Sequence, residues 1–428
     1  MPQKAQRRHS RWYELLIFNP VLLYIFGLLI VVGLPAWLRW SELLFRVDLT
    51  VAQLNTLIIN GLAFTLVFFL LRKVRQLPGT QALPFIIPAV FLAWFLAFAV
   101  LVFLREEYYS RPTLVYSYIA ANLWAFTACL LGQRYGQLKL ALVPFGRAIE
   151  LTNIGQRNQF SLLQRPHFEG RRFDGVVVDL HSPDISPEWA HFLAQCTLAR
   201  IPVYNTKQIN ESITGRVSVH RLSENIFGSL LPSAVYIGIK RFCDTALVTL
   251  TLPIWLPIMI ITGLVVVLES KGPMFFAQDR VGRGNKIFRI YKLRSMRTDA
   301  EQSGAQFAKQ RDSRITPVGR FIRKTRIDEI PQFINVLKGE MSLIGPRPEQ
   351  YDFVKEFEMK IPFYSYRHVV RPGITGWAQV TQGYAASTDD TKLKIEYDLY
   401  YIKNFSLWLD LLIVFKTIKT MFTGFGAR

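Results

Sequence analysis

Two adjacent carboxylates, Asp328 and Glu329, stand in a stretch otherwise dominated by arginine and lysine. The run Arg326-Ile327-Asp328-Glu329-Ile330-Pro331 continues through Leu337-Lys338-Gly339 to Ile344-Gly345-Pro346-Arg347-Pro348-Glu349. Pro331 suits the first turn of a helix, where its missing N–H removes no hydrogen bond. Ile330, Phe333, Ile334 and Leu337 recur at helical spacing, and Gly339 is a natural stop. The spacing predicts a helix start at the two acids, where the helix dipole favours their ionised forms. An ionised acid among cations can hold a metal ion or attack a phosphorus atom. Acids are also common helix caps, and an acidic N-cap with charged neighbours accounts for the pair equally well at this point.

Four cationic elements can converge on the pair. One is Arg280 with Lys292 and Arg294, and another is Arg320, Arg323 and Lys324. The third is Arg347 between two prolines, and the last is Arg371 in Arg371-Pro372-Gly373. Arginine forks suit phosphate oxygens because two N–H groups bind at once. Proline neighbours restrict the backbone and aim the guanidinium. A basic face resting on anionic lipid explains scattered lysines, but it needs no such rigid mount. Cys129, Cys196 and Cys243 are too far apart in sequence to mark a disulfide framework or a metal site. Glu188 and His191 lie three apart on a predicted helix but have no third ligand, so they read as a solvated face.

The scaffold for these groups is partly membranous. The chain is 50% hydrophobic and only 19% charged, apolar for a soluble enzyme. Its net charge of +20 fits an anionic membrane face and phosphorylated substrates, and no nucleic-acid-binding signature accompanies it. Four segments free of Asp, Glu, Lys and Arg, residues 15–38, 54–71, 83–104 and 114–131, each approach the ~20 residues that cross a bilayer core. Lys4, Arg7, Arg8 and Arg11 precede the first with no cleavage pattern, which predicts a retained anchor. The basic linkers predict that the N-terminus, the 72–75 linker and everything after the fourth span face the cytoplasm. Trp12, Trp37, Trp40, Tyr108 and Tyr109 fall near span ends, where interfacial aromatics belong.

Residues 138–232 alternate as strand 138–144, strand 174–180, helix 188–200 and strand 201–205, a half-Rossmann pattern. Pro144-Phe145-Gly146-Arg147 follows the first strand without a G-x-G-x-x-G, so a structural or dimerising role is expected here in preference to nucleotide binding. A fifth apolar run, 242–268, is basic on both flanks, and Pro257 near its middle offers a kink. A simple crossing would set one basic flank outside, so the charges predict a re-entrant helix that breaks and returns; an ordinary fifth crossing is the alternative. Segments 275–278 and 286–291 are predicted to form a hairpin. After Ser406, Leu407, Leu411, Val414, Phe415 and Ile418 form a helical stripe that suits either the membrane interface or the domain core.

From Lys240 onward the chain resembles the bacterial sugar transferases, the monotopic polyprenyl-phosphate phosphoglycosyl transferases. The matching pieces are Lys240–Asp244, Gln278–Gly282, Phe288–Met296, Asp328-Glu329-Ile330-Pro331-Gln332, Asn335–Pro348 and Arg371–Val380. The N-terminal half resembles the long members. The resemblance implies a membrane α+β protein: a four-helix transmembrane bundle over 1–137, a Rossmann-like domain over 138–232, and a catalytic domain over 233–428 with re-entrant helix 242–268. In small members the helix break is a Ser-Pro pair, here Leu256-Pro257, so the serine is absent. The implied reaction moves a sugar-1-phosphate from a UDP-sugar to undecaprenyl phosphate and releases UMP, with Mg2+ as cofactor.

On this reading Asp328 attacks the β-phosphate, and Glu329 orients the site or helps Asp328 hold the metal. Arg280, Lys292, Arg294, Arg323, Arg347 and Arg371 are the expected phosphate contacts, and Pro257 is the expected helix break. Glucose or galactose is the expected sugar, and exopolysaccharide, capsule or O-antigen the expected product. The expected location is the bacterial inner membrane with a cytoplasmic catalytic domain. The expected partners are membrane lipids, the two substrates and a second copy in a homodimer, without nucleic acid. A transporter is disfavoured because the spans carry no ionisable groups, and a silent scaffold because the acid pair is intact.

Overall fold

The computed structural model describes residues 19–40, 49–75, 83–103, 109–135, 139–154, 160–180, 182–219, 232–297, 314–383 and 388–423. The basic tail with Lys4, Arg7, Arg8 and Arg11 and the aromatics Trp12 and Tyr108 lie outside them. The chain divides into two compact units, Met1–Gly215 and Arg216–Arg428.

In the first unit, α1 (Pro20–Trp40), α2 (Val51–Arg75), α3 (Ile86–Phe103) and α4 (Arg111–Tyr135) stand where the four spans were predicted. Phe91, Phe95 and Leu123 project outward, an apolar exterior suited to lipid. Polar groups turn inward and pair: the Trp94 indole donates to Asn60 Oδ1 at 3.2 Å, and the Tyr24 and Thr65 hydroxyls meet at 2.9 Å.

A parallel four-stranded sheet follows, in the order β2-β1-β3-β4. Strands β1 (Leu140–Leu142), β3 (Gly175–Val178) and β4 (Val203–Asn205) fall inside the predicted segments, and helix α5 (Pro187–Leu198) matches its predicted segment to within two residues at each end. Strand β2 (Phe160–Leu162) was not predicted; it is a three-residue edge strand centred on Ser161, with too little apolar pattern to read. Both faces are covered. Ala141, Val176 and Val178 pack on Trp189, Phe192 and Cys196 of α5, while Leu140, Leu142 and Val177 pack on Leu151 and on Ile209 of α6 (Thr206–Thr214).

The second unit starts earlier than residue 233. The Val217 N–H donates to the Glu396 carbonyl at 2.9 Å, tying the chain after Gly215 to the C-terminal half. Its opening apolar run is two helices, α7 (Ala234–Leu250) and α8 (Leu252–Glu269), meeting at Thr251. The break is therefore at Thr251, with Pro253 in the first turn of α8; Pro257, expected as the break, lies inside α8. Proline in a first turn removes no intrahelical bond, so Pro253 sets the new helix. The Trp255 indole donates to the Val248 carbonyl at 2.9 Å, and the Thr251 hydroxyl to that of Leu247 at 2.7 Å. These donors satisfy carbonyls at the end of α7, so the break needs no serine before Pro257.

Trp255, Met259 and Val266 of α8 pack with Val248 of α7 on Phe288, Ile290 and Leu293 of the hairpin β5 (Phe275–Val281) and β6 (Ile287–Leu293). The hairpin is antiparallel from Phe275↔Leu293 to Val281↔Ile287, longer than predicted. Helices α9 (Pro317–Lys324) and α10 (Gln332–Lys338), strand β7 (Ser342–Ile344) and helix α11 (Tyr351–Lys360) come next. Strand β8 (Gly373–Thr375) pairs in parallel with β7. A Cβ on Gly373 would lie 2.0 Å from the Gly345 nitrogen, so this approach of two backbones requires glycine. Helices α12 (Trp377–Thr381), α13 (Thr388–Lys403) and α14 (Leu407–Thr423) complete the unit. The predicted stripe of α14 splits, with Phe415 buried and Leu407, Val414 and Ile418 exposed, and the core face of the helix lies beside it. Leu409, Leu412 and Ile413 are buried in the core, whereas Leu407, Val414, Ile418 and Met421 stay exposed.

Candidate active site

The acid pair lies on a 3-10 turn, Ile327–Glu329, just ahead of α10, instead of on the helix itself. Pro331 takes the N-cap position of α10, and Gly339 closes it in the left-handed conformation, φ 85°. Arg326, which joins α9 to the turn, is also left-handed, φ 61°. That conformation is strained for a side chain with a Cβ. It reverses the chain so that Arg323, Lys324 and Arg326 stay close to the acids that follow. Asn335, fully buried, ties α10 to β6: its amide donates to the Arg289 carbonyl at 2.8 Å and to Glu340 Oε2 at 2.7 Å.

The two neighbours have opposite surroundings. Glu329 Oε1 accepts from Arg347 Nη2 at 2.8 Å and from Lys292 Nζ at 3.1 Å. Its Oε2 faces Arg326 Nη1 at 3.7 Å. Burial opposes ionisation of Glu329, but Arg347, Lys292 and Arg326 outweigh it and hold the carboxyl well below the usual range. Asp328 is equally buried, and its Oδ1 has no hydrogen-bond partner. Burial, reinforced by the charge of Glu329, pushes the Asp328 carboxyl up to about 6 against the pull of Lys292, Arg323 and Arg347. Arg323 Nη1 is likewise buried without a partner. The turn thus carries one carboxylate locked to cations and one carboxylate oxygen left open.

Of the six cations expected at the phosphates, Lys292 and Arg347 touch Glu329, and Arg323 acts on Asp328. The other three bond to other groups. Arg280 donates to the Pro348 carbonyl at 3.1 Å and to Gln278 Oε1 at 2.6 Å, so it holds the loop that carries Arg347. Arg294, just past the end of β6, donates to the carbonyls of Val266, Ser270 and Lys271, satisfying the C-terminal end of α8. Arg371 Nε donates to the Gly339 carbonyl at 3.0 Å, at the end of α10. A cation near a helix end can satisfy carbonyls as well as bind phosphate.

Sequence reasoning passed over the support for Arg347. Arg367, 2% exposed, donates to the Arg347 carbonyl and to Asp398 Oδ2, both at 2.8 Å. Glu349 lies 3.8 Å from Arg280 and 3.9 Å from Arg367 and also pairs with Lys394. This buried network fixes the Pro-Arg-Pro segment from behind. The signal available was Glu349 itself, an acid directly after a rigid arginine mount.

The metal expectation is narrowed. Both Glu329 oxygens face cations, which leaves Asp328 as the unpartnered carboxylate of the pair. No group of three His, Cys, Asp or Glu side chains able to hold a metal occurs among the described residues. One carboxylate with substrate phosphates fits magnesium, which binds few protein ligands and keeps phosphate or water for the rest.

The sequence profile of bacterial sugar transferases matches residues 235–424. The chain is similar to a UDP-N-acetylgalactosamine-undecaprenyl-phosphate N-acetylgalactosaminephosphotransferase of Aeromonas hydrophila, 51% identical over 99% of each chain. A UDP-glucose:undecaprenyl-phosphate glucose-1-phosphate transferase of Escherichia coli is 42% identical over 44% of this chain and 40% of its own. One of the same name from Caulobacter vibrioides is 39% identical over 46% of this chain and 74% of its own.

Proposed function

This chain belongs to the bacterial sugar transferase family, and from that premise we propose that it transfers N-acetylgalactosamine-1-phosphate from its UDP-sugar to undecaprenyl phosphate, releasing UMP. The sugar follows the relative matched over 99% of both chains and stands in place of the glucose or galactose expected from sequence. The observation that carries the mechanism is the open Asp328 oxygen beside a Glu329 already held by cations.

In the first step an Asp328 carboxylate oxygen attacks the β-phosphorus of the donor. The P–O bond to the α-phosphate breaks, UMP leaves with the bridging oxygen, and a sugar phosphate is bonded to Asp328. In the second step an oxygen of the lipid phosphate attacks that phosphorus, the bond to Asp328 breaks, and the free carboxylate returns with undecaprenyl-diphosphate-sugar as product. Arg323, Lys292 and Arg347 offset the phosphate charge, and Glu329 keeps Lys292 and Arg347 aimed. Asp328 would hold magnesium against the donor phosphates, where the ion supplies positive charge.

Re-entry of α7 and α8 is part of this proposal. Arg241, midway along α7 and just before its apolar stretch, donates to the carbonyls of Val336 and Leu337 in α10, while Arg294 grips the far end of α8. Both ends of the apolar run 242–268 are therefore held by one domain, whereas a straight crossing would part them by ~30 Å of hydrocarbon. The catalytic unit then lies on the cytoplasmic face of a bacterial inner membrane, and its product begins a surface glycan.

Full-length protein in lipid particles, given UDP-N-acetylgalactosamine alone, is expected to release at most about one UMP per enzyme and to carry a covalent phosphosugar. Undecaprenyl phosphate then restores turnover. Release of UMP only when both substrates are present, with no adduct, would replace the covalent route by direct attack of the lipid phosphate. Faster turnover with UDP-glucose would overturn the sugar.

A further inference from the structure

Beside the acidic turn, a cleft of about 400 Å³ runs between α7 and α14. Its walls are Ile239 and Leu247 of α7 and Val414 and Ile418 of α14, over a floor that includes Ile344 and Ile374. Lys324, Arg326 and Glu329 line it as well, so a mostly apolar trough touches the catalytic turn where it meets two cations. The acids along the trough are already bound: Asp410 accepts from Tyr236 and Lys240, and Asp244 Oδ2 accepts from the Ser342 hydroxyl at 2.6 Å. The Lys240–Asp410 pair joins α7 to α14 and so fixes the width of the trough.

Ile239 and Leu247 are each about half exposed, and so is Ile418. Such a surface is costly against water and is satisfied by an apolar ligand. A nucleoside diphosphate sugar is polar along its whole length and does not fit these walls. A molecule with one phosphate and one long hydrocarbon chain fits both ends at once.

Resting on the transfer reaction proposed above, we infer that this trough is the acceptor channel: it takes the isoprenoid units nearest the phosphate of undecaprenyl phosphate. Lys324 and Arg326 receive the phosphate, bringing its oxygens to Asp328 from the α14 side. The donor approaches from the side of Lys292 and Arg347. Two separate approaches to one carboxylate suit a reaction in which UMP leaves before the lipid phosphate attacks.

Cys243 lines the trough and is exposed, whereas Cys129 and Cys196 are buried, so a native thiol reports on occupancy. The test uses the full chain in mild detergent, N-ethylmaleimide as the probe, and peptide mass analysis to read the labelled cysteine. Undecaprenyl phosphate is expected to slow Cys243 labelling severalfold, while phosphatidylglycerol at equal charge and UDP-N-acetylgalactosamine do not. Absence of protection by undecaprenyl phosphate would overturn the channel. Equal protection by phosphatidylglycerol would make the trough an ordinary lipid contact, and protection by the UDP-sugar alone would make it a donor site. Filling the trough with Val414→Trp, or Ile418→Trp on the same wall, is expected to raise the KM for undecaprenyl phosphate about tenfold more than that for the UDP-sugar. An equal rise in both would also overturn the proposal. Labelling requires no turnover, so protection without UMP release would keep the channel while removing the proposed reaction.

Discussion

In the parallel-sheet domain, the chain's own groups pair at the ends of β1 and β3. The strand order reverses there, which is where open α/β sheets bind ligands. Yet the Arg147 N–H donates to Asp179 Oδ2 at 3.2 Å, so a carboxylate sits where a phosphate would lie. A Cβ on Gly146 would come within 2.8 Å of that same oxygen, and Gly146 itself is left-handed. The catalytic turn also sets acids among donors, but with a different outcome. Glu329 absorbs Arg347, Lys292 and Arg326, and its neighbour Asp328 keeps an open oxygen and a raised pKa. The difference lies in whether the fold completes its own charged groups. A completed site is structure, and an incomplete one is poised for a substrate.

The largest test of that contrast is Asp328→Asn, which keeps the shape and removes the nucleophile. It is expected to abolish both the adduct and UMP release, a loss above ten-thousandfold measured with labelled donor. It should also raise the melting temperature, because burial disfavours the charge it removes; the gain at pH 7 is up to roughly 3 kcal/mol. A destabilised Asp328→Asn would mean that Asp328 is completed like Asp179 and is not a poised group.

Glu329→Gln is expected to lower the rate roughly a hundredfold and, unlike Asp328→Asn, to lower stability by about 3 kcal/mol, since Lys292 and Arg347 lose their buried counter-charge. An adduct that still forms in Glu329→Gln but not in Asp328→Asn assigns attack to Asp328. The reverse pattern exchanges the two roles.

The pH dependence of the two acids runs in opposite directions. Asp328 must be ionised to attack, so adduct formation at saturating donor should fall about tenfold per unit as pH drops below about 6. The raised Asp328 pKa makes its ionised form a cost to the fold above about 6, relieved as pH falls towards 4. Glu329, held low, contributes stability above the ordinary carboxylate range and loses it as acid titrates it. Stopped-time adduct assays separate the activity limb, and melting curves of the two single variants separate the stability limbs.

The smallest expected effects lie in the first unit. Asp179→Asn should leave transfer within about twofold of wild type and should not create UMP binding by calorimetry. A protein starting at Arg216 should retain transfer in lipid particles, because the acid pair and its cations all lie in the second unit. The short Caulobacter relative, covered over 74% of its length by less than half of this chain, accords with that expectation. A well-folded but inactive Arg216–Arg428 would show that the first unit supplies part of the site and would break the comparison outright.

Local chemistry was legible in sequence. Runs without charge located α1 to α4, alternation located the hairpin, and Gly339 and the Pro-Arg-Pro run kept their predicted places. The adjacent acids could be recognised because two carboxylates within a basic stretch are a local fact. What the sequence could not settle was the partner of each long side chain. Arginine reaches carbonyls, carboxylates and phosphates alike, and only the packed chain sent Arg294 to α8, Arg371 to α10 and Arg280 to the Pro348 loop. The break at Thr251 was equally a tertiary outcome: it falls ahead of Pro253, where the carbonyls of Val248 and Leu247 find donors in Trp255 and Thr251, and not at Pro257. The split between Asp328 and Glu329 belongs to the same class. Identical charges one residue apart acquire opposite pKa shifts because residues 18 and 37 positions away converge on one of them and leave the other buried beside it.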